Sequence, residues 1–210
     1  MPVSTSSHPL VAMKLSQLRN KHTSPKEFRS LLKELSSLLG VEASASLPLR
    51  DVPNLQSPMA TYTGKELASR VGLTPILRAG IGMTDAFLDL FPSAQVFYLG
   101  LFREKVSLSP VEYYQKLPQQ VTVDTLYLLD PLIATGGTAI AALQILQDWG
   151  LDVKQIKLVS VLASRAGLEK VAEAYPELEV YVGAVDEQLT SDGYLIPGVG
   201  DTGDRLFNTL

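Results

Sequence analysis

Residues 128–138 have the sequence Leu-Leu-Asp-Pro-Leu-Ile-Ala-Thr-Gly-Gly-Thr, and this stretch separates two kinds of pattern. The residues before it, 121–129, end in an apolar run without polar alternation, which is typical of a strand covered on both faces. The residues after it, 138–149, have the length and composition of a helix that Gly150 ends. The stretch is therefore predicted to be the turn between a buried strand and a helix.

The same alternation extends on both sides of this turn. Strands are predicted at 71–77, 94–102, 121–129, 156–163 and 178–185. Helices are predicted at 83–91, 138–149 and 165–175. This order predicts an α/β fold with a parallel sheet, in which ligands bind at the carboxyl ends of the strands.

The N-terminal part of the chain has a different character. Ser24, Pro25 and Glu27 form the pattern of a capped helix start, and apolar residues at helical spacing follow until Gly40, where we expect the helix to end. Residues 41–64 contain three prolines and no clear period, which predicts an extended arm or loop. We predict a single domain over 1–210, divided into helices and arm at 1–64, an α/β core at 71–185, and a ligand loop with the C-terminus at 186–210.

Composition restricts the classes of function. The 210 residues are 46% hydrophobic, include no cysteine and carry a formal net charge of −4. Such a chain can bury a core without disulfides, and it lacks both a thiolate metal site and a broad basic surface for nucleic acid. No apolar run approaches the ~20 residues that cross a bilayer, and the first ten residues do not resemble a secretory signal. A cytoplasmic enzyme without a nucleic-acid or membrane partner fits these limits.

The turn at 130–138, called the glycine turn below, has the chemistry of a phosphate site. Its paired glycines allow backbone N–H groups and the hydroxyls of Thr135 and Thr138 to converge on an anion at a helix N-terminus. Asp130 lies at the mouth of the turn, where a carboxylate can accept hydrogen bonds from a sugar diol. The lysine of a Walker loop is absent. The pattern indicates a ribose 5-phosphate site, and an ordinary strand-to-helix turn with a solvated aspartate is the alternative.

A second segment follows the strand at 71–77. Its Arg78 is a strand-end arginine of the kind that favours a polyphosphate, with a surface ion pair as the alternative. Gly80 and Gly82 suggest a dinucleotide fingerprint, but Asp85 occupies the position of the third glycine. A polyphosphate contact is therefore favoured.

Two further segments carry candidate residues. Residues 102–110 include Arg103 and have the composition of a charged hairpin between two strands. Residues 193–205 are rich in glycine, which lets the backbone approach a flat ligand closely. The spacing Gly-x-Gly-x-x-Gly occurs there, but too few residues follow for a dinucleotide-binding unit.

Residues 128–138 resemble the signature of type I phosphoribosyltransferases for 5-phosphoribosyl-1-diphosphate (PRPP), and their Asp-Pro-x-x-Ala-Thr-Gly-Gly form resembles the uracil phosphoribosyltransferase branch. The likeness extends from His8 to Phe207. It implies the type I phosphoribosyltransferase fold with N-terminal helices and an extended arm. It also implies a glycosyltransferase reaction in which uracil and PRPP form UMP and diphosphate.

The resemblance assigns site residues in three groups. PRPP would be bound by Arg78, Arg103, Asp130, Pro131, Leu132, Ile133, Ala134, Thr135, Gly136, Gly137, Thr138 and Asp201. Uracil would be bound by Leu195, Gly200, Asp201 and Thr202. The catalytic group would be Asp130, Arg103 and Asp201. Mg²⁺ would be carried in on PRPP and not by a dedicated metal site of the protein.

The resemblance has further implications for motion and assembly. The segment after Arg103 is similar to a mobile arm that folds over PRPP and excludes water. A homodimer or a homotetramer is implied, and GTP is a candidate activator, although the sequence itself does not say whether GTP activates.

Three residues depart from the family pattern, and two other functions remain as alternatives. Leu132 and Ile133 stand where methionine and leucine are expected, and Thr202 stands where alanine is usual. Thr202 adds a hydroxyl beside the base, so uracil affinity is the property that this change concerns. The alternatives are an RNA-binding regulator of pyrimidine genes with the same fold, and a dinucleotide-dependent oxidoreductase.

Overall fold

The structure is a computed structural model that describes residues 1–103 and 110–209. The described strands are β1 (Val3–Thr5), β2 (Leu49–Gln56), β3 (Thr61–Leu67), β4 (Val71–Leu77), β5 (Gln95–Val96), β6 (Leu99–Arg103), β7 (Pro110–Gln115), β8 (Thr125–Leu129), β9 (Leu132–Ile133), β10 (Ile156–Ser164), β11 (Glu179–Asp186), β12 (Gln188–Leu189) and β13 (Leu195–Ile196). The described helices are α1 (Pro9–Arg19), α2 (Pro25–Ser44), α3 (Ile81–Leu90), α4 (Gly137–Trp149), α5 (Arg165–Ala174) and α6 (Thr202–Phe207), with a 3₁₀ turn at Val153–Gln155.

The main sheet has the strand order β1-β11-β10-β8-β4-β6-β7, with β5 beside β4 and β9 beside β10. Its neighbouring strands are parallel except for β6 and β7, which are antiparallel. Every residue of β10 is buried, because helices cover both faces. One face packs on α4 and α5, and the other packs on α1, α2 and α3. The prediction of a parallel α/β sheet is confirmed.

The predicted strand at 94–102 is interrupted. β5 pairs with the first half of β4 and β6 with its end, and between them the backbone N–H of Phe97 donates to Leu73. The predicted strand at 121–129 begins only at Thr125, because Asp124 instead binds Arg70 through its carboxylate. The other three predicted strands agree with the structure to within one residue at each end.

The helix after Ser24 begins as predicted and ends later than predicted. Its capping box is present, since the Ser24 hydroxyl accepts from the N–H of Glu27 and the Glu27 carboxylate accepts from the N–H of Ser24. The expectation that Gly40 ends the helix is wrong, because α2 continues to Ser44. A Cβ at Gly40 would lie 2.6 Å from the Leu90 side chain, so this glycine permits close packing of α2 on α3.

The predicted arm is a β-hairpin. β2 and β3 pair with each other in a separate two-stranded sheet, and most of their residues are exposed. The pairing register shifts between Val52 and Leu55, around Pro53, which has no N–H to donate to a ladder. Residues 41–64 therefore contain the last turn of α2, a short connection and most of this hairpin, and not an irregular loop.

The topology brings the candidate segments to one edge of the sheet. β4, β8, β10 and β11 are mutually parallel neighbours, so the loops that follow them leave at the same edge. No helix in the described ranges combines the length and the apolar composition that a membrane span requires.

Candidate active site

The glycine turn is held to the sheet by main-chain hydrogen bonds. The N–H of Asp130 donates to the carbonyl of Val159 at 3.2 Å, and the carbonyl of Pro131 accepts from the N–H groups of Val161 and Leu162, each at 3.0 Å. β9 then continues the parallel pairing with β10. These bonds place Asp130, a 9%-exposed residue, directly at the carboxyl end of β8.

The second half of the glycine turn packs on the start of α5. Gly136 has a φ of +77°, and a Cβ at this position would lie 2.7 Å from the carbonyl oxygen of Gly167. A Cβ at Gly167 would lie 2.2 Å from the carbonyl oxygen of Ala134. The hydroxyl of Ser164 joins the two segments, because it donates to the Ala134 carbonyl and accepts from the N–H of Gly167 at 2.8 Å. Glycine is required on both sides of this contact.

The glycine turn encloses a small space in front of α4. The space is about 20 Å³ and is lined by Asp130, Leu132, Ile133, Ala134, Gly136, Thr138 and Ala139. Gly136 occupies the N-cap position of α4, where it provides no side chain to cap the first turn. A volume of this size holds about one water molecule, so a phosphate would have to widen the turn or enter from its open side.

Arg78 pairs with the C-terminal helix. Its guanidinium donates to Asp204 at 2.9 Å and to the Thr209 hydroxyl at 3.4 Å, and about half of its side chain is exposed. Hydrogen bonds from Thr209 and then from Arg78 lower the pKa of Asp204. The ion-pair alternative thus describes this conformation of Arg78, and its half-exposed side chain leaves it accessible to a ligand.

Gly80 and Gly82 are packing glycines. A Cβ at Gly80 would lie 2.5 Å from the carbonyl oxygen of Leu129, and one at Gly82 would lie 2.6 Å from the Leu32 side chain. Gly80 therefore lets the turn that carries Arg78 press on the end of β8, next to Asp130. This packing accounts for the Gly-x-Gly spacing without a dinucleotide.

The predicted contribution of Arg103 falls at the edge of the described chain. The backbone of Arg103 ends β6 and is paired with Pro110. The predicted mobile arm at 104–109 and the side chain of Arg103 lie outside the described residues. Both assignments stay predictions.

Residues 195–202, called the C-terminal loop below, connect β13 to α6. Leu195 is buried in β13, and Gly198 and Gly200 have φ values of +55° and +76°. A Cβ at Gly200 would have no atom within 4 Å, so this glycine borders open space. The Asp201 carboxylate accepts from the N–H of Asp204 at 2.9 Å and caps α6.

Two of the predicted site residues, Arg78 and Asp201, both lie near Gly203 in α6. A Cβ at Gly203 would lie 3.3 Å from the Arg78 guanidinium and 3.3 Å from the Asp201 carboxylate. The structure thus brings the turn after β4 next to the C-terminal loop. Thr202 is 4% exposed, and its hydroxyl has no hydrogen-bond partner within the described part of the chain.

Four residues that support the C-terminal loop were not predicted from the sequence. Arg19, Asp186 and Arg205 contact its main chain, and Asp204 pairs with Arg78. Asp186 had a signal, because it follows a predicted strand as Asp130 does. The two arginines had none, because most of their partners are distant in sequence: Asp186 and Gly198 for Arg19, and Leu18 and Asn20 for Arg205.

Comparisons with known proteins place the chain within one family. Residues 5–209 match the family model described as uracil phosphoribosyltransferase. The uracil phosphoribosyltransferase of Roseiflexus castenholzii is 48% identical over 204 residues, which cover 97% of each chain. That of Streptococcus equi subsp. zooepidemicus is 46% identical over 204 residues, covering 97% of this chain and 96% of the relative.

Solved structures agree with this placement. The AQ2163 protein of Aquifex aeolicus superposes with a TM-score of 0.89 at 35% identity, covering 98% of this chain and 97% of the other. The adenine phosphoribosyltransferase of Leishmania donovani has a TM-score of 0.56 at 15% identity, covering 91% of this chain and 86% of the other. The second likeness shows the type I phosphoribosyltransferase fold alone.

Proposed function

The chain belongs to the uracil phosphoribosyltransferase family, and we propose that it transfers the phosphoribosyl group of PRPP to uracil, which forms UMP and releases diphosphate. The observation that carries this proposal is the family match over residues 5–209, which includes all the candidate loops. The RNA-binding alternative finds no support in these comparisons, because the family model and the relatives from Roseiflexus castenholzii and Streptococcus equi are described as uracil phosphoribosyltransferases.

The test is product formation. The protein, labelled uracil, PRPP and Mg²⁺ should yield labelled UMP, and labelled cytosine in place of uracil should form nucleotide more slowly by roughly two orders of magnitude or more. The absence of UMP at high protein concentration would contradict the proposal. Retention of RNA by the same preparation would instead favour the regulator.

The glycine turn would bind the ribose 5-phosphate half of PRPP. The main-chain N–H groups of residues 135–138 and the hydroxyls of Thr135 and Thr138 would donate to the phosphate at the N-terminus of α4. Asp130 would accept hydrogen bonds from the ribose hydroxyls. The rigid attachment of this turn to β10 and α5 supports the assignment, since a fixed anion site loses little entropy on binding.

The diphosphate would lie between the turn after β4 and the segment after β6. Arg78 would exchange Asp204 for diphosphate oxygens, which its half-exposed side chain supports. An exposed ion pair is worth about 0–1 kcal/mol, so this exchange costs little. Arg103 would supply the second positive charge to the leaving group.

Displacement of the diphosphate would rely on charge and positioning. The anomeric C–O bond to diphosphate breaks, and the bond from the sugar carbon to uracil N1 forms as N1 gives its proton to water. The arginines neutralise the charge that develops on the diphosphate. Asp130 would hold the ribose in place, and Asp201 would orient water beside the base. No covalent nucleophile is needed for these steps.

We propose that Mg²⁺ enters the site bound to PRPP. Within residues 1–103 and 110–209, no three His, Asp or Glu side chains are grouped closely enough to hold a metal ion. Mg²⁺ commonly uses one or two carboxylates together with waters and substrate phosphates, so Asp130 and Asp201 would hold it through the diol and through water. When bound, it would neutralise diphosphate charge.

The C-terminal loop would bind uracil through its main chain. Leu195, Gly200, Asp201 and Thr202 would face the acceptor-donor-acceptor edge formed by O2, N3–H and O4. The open space beside Gly200 supports this assignment, because a planar ring could approach the backbone there. Cytosine would leave two buried groups mispaired at about 1–3 kcal/mol each, which amounts to roughly two orders of magnitude or more of discrimination.

We also propose how the protein assembles and how its activity is regulated. Exposed apolar side chains on the β2–β3 hairpin, including those of Leu49, Met59 and Tyr62, support its contact with a second copy in a homodimer or a homotetramer. Activation by GTP and a cytoplasmic location are proposed from the family resemblance. Sizing chromatography with and without GTP tests the assembly, and initial rates over the same GTP series test the activation.

A further inference from the structure

Gly198, in the C-terminal loop, is held by two side chains that also hold each other. The Asp186 carboxylate accepts from the N–H of Gly198 at 3.0 Å, and the Arg19 guanidinium donates to the carbonyl of Gly198 at 3.0 Å. Arg19 and Asp186 form a two-point ion pair with distances of 2.6 and 2.9 Å. The N–H and the carbonyl of Gly198 are thus both hydrogen-bonded to charged side chains, and Asp186 is only 5% exposed.

Val199, the next residue, is held by a third side chain. The guanidinium of Arg205 donates to the Val199 carbonyl at 2.9 Å and to the Leu18 and Asn20 carbonyls at 2.9 and 2.7 Å. It lies over the ring of Phe28, 4.3 Å from the centroid. Burial lowers the pKa of Arg205. Both contacts with the C-terminal loop therefore involve the C-terminal end of α1. Arg19 is its last residue, and Arg205 binds the carbonyl groups of Leu18 and Asn20 there.

The C-terminal loop needs such support because of its composition. Gly198 and Gly200 adopt positive φ angles, and glycine has more backbone freedom to lose than any other residue. A site that recognises a base with main-chain N–H and C=O groups requires those groups to be fixed in advance. The Arg19–Asp186 pair and Arg205 fix the two residues that immediately precede Gly200.

We infer that Arg19, Asp186 and Arg205 are positioning residues that set the affinity and the selectivity for uracil through the main chain of residues 198–199. The inference rests on the proposed function, in which the C-terminal loop binds the base. None of the three residues is assigned a contact with substrate. Their variants should therefore alter the recognition of the base and leave the recognition of PRPP largely unchanged.

Asp186→Asn and Arg19→Lys are the informative variants. Asparagine replaces one carboxylate oxygen, which accepts hydrogen bonds, by an NH₂ group, which donates them. At least one contact of residue 186 with Arg19 or with the Gly198 N–H would then place two donors against each other. Lysine keeps the charge of Arg19 and loses the two-point geometry. The matched control is Arg165→Lys, which changes a neighbouring two-point pair with Glu187 whose side chains are 58% and 63% exposed.

The measurements are separate Michaelis constants for uracil and PRPP, the rate with cytosine relative to uracil, and the thermal unfolding midpoint. We expect roughly a tenfold rise in KM for uracil and a higher relative rate with cytosine, with KM for PRPP changed by less than about twofold. Arg165→Lys should match the unaltered protein. If Asp186→Asn does not fold, Arg19→Lys provides the same measurements.

Two results would overturn the inference. One is a folded Arg19→Lys or Asp186→Asn protein with an unaltered KM for uracil, and the other is an equal rise in both Michaelis constants. Gly200→Ala separates this failure from failure of the proposed function. If Gly200→Ala raises KM for uracil and the supporting variants do not, only the inference fails. If Gly200→Ala also leaves KM for uracil unaltered, the proposed base site fails with it.

Discussion

The glycine turn and the C-terminal loop are both glycine-containing ligand loops, but different forces hold them. The glycine turn is fixed mainly by its own main chain, which bonds to β10 and packs on α5, and the only side chain described above as joining it to α5 is the uncharged Ser164. The C-terminal loop is fixed by charged side chains that come from α1, β11 and α6. A main-chain framework tolerates most side-chain changes nearby, whereas a side-chain framework depends on single residues. The two sites should therefore respond differently to mutation.

The largest expected effect is at the mouth of the glycine turn. Asp130→Asn removes the charge that would accept hydrogen bonds from two ribose hydroxyls, so we expect kcat/KM for PRPP to fall on the order of 100-fold. KM for uracil should change much less, because the C-terminal loop is supported independently. Steady-state kinetics in both substrates measures this. Kinetics equal to those of the unaltered protein would remove Asp130 from the site.

An intermediate effect should follow a change in the turn's own backbone. Gly136→Ala forces a positive φ on alanine and places its Cβ 2.7 Å from the Gly167 carbonyl oxygen. We expect a loss of about 1–3 kcal/mol in the free energy of unfolding and roughly a tenfold rise in KM for PRPP.

Gly150→Ala is the control for this prediction. Gly150 ends the same helix with a φ of +116°, and the nearest atom to an added Cβ is 3.5 Å away on Val121. This variant should lose stability without a change in KM for PRPP. If Gly136→Ala and Gly150→Ala affect KM for PRPP equally, the glycine turn has no special relation to PRPP.

The smallest expected effect is at Thr202, the family departure in the C-terminal loop. Its buried hydroxyl has no hydrogen-bond partner within the described residues, and a buried hydroxyl without such a partner lowers the free energy of unfolding. Thr202→Val keeps the volume and should leave the protein equally stable or more stable by about 1 kcal/mol, as chemical denaturation would measure. Thr202→Ala should keep activity, with KM for uracil unaltered or lower. Lost activity in both variants would mean that the hydroxyl binds substrate.

The sequence predicts the glycine turn and the sheet well because their signals are local. Residues 121–149 contain a buried strand, the glycine turn and a helix in immediate succession. The periodicity and the order of these segments are therefore enough to predict them. The position of Asp130 at a strand end follows from the same pattern. The start of α2 at Ser24 is predicted for the same reason, because the residues that cap this helix are close together in sequence.

The support of the C-terminal loop could not be predicted in this way. Arg19 and Asp186 are 167 residues apart, and Arg205 and Leu18 are 187 residues apart. Gly40 shows the same limit, because its role depends on contact with Leu90 in α3 and not on its neighbours in sequence. Glycine that ends a helix and glycine that admits a second helix look alike until the packing is known.

The account depends on the glycine turn as the ribose 5-phosphate site, and a crystal structure of the protein with PRPP and Mg²⁺ tests this most directly. We predict that the ribose 5-phosphate lies within hydrogen-bond distance of the main-chain N–H groups of residues 135–138 and that the Asp130 carboxylate accepts hydrogen bonds from the ribose hydroxyls. A ribose 5-phosphate bound outside the glycine turn, with Asp130 directed away from the sugar, would contradict the account.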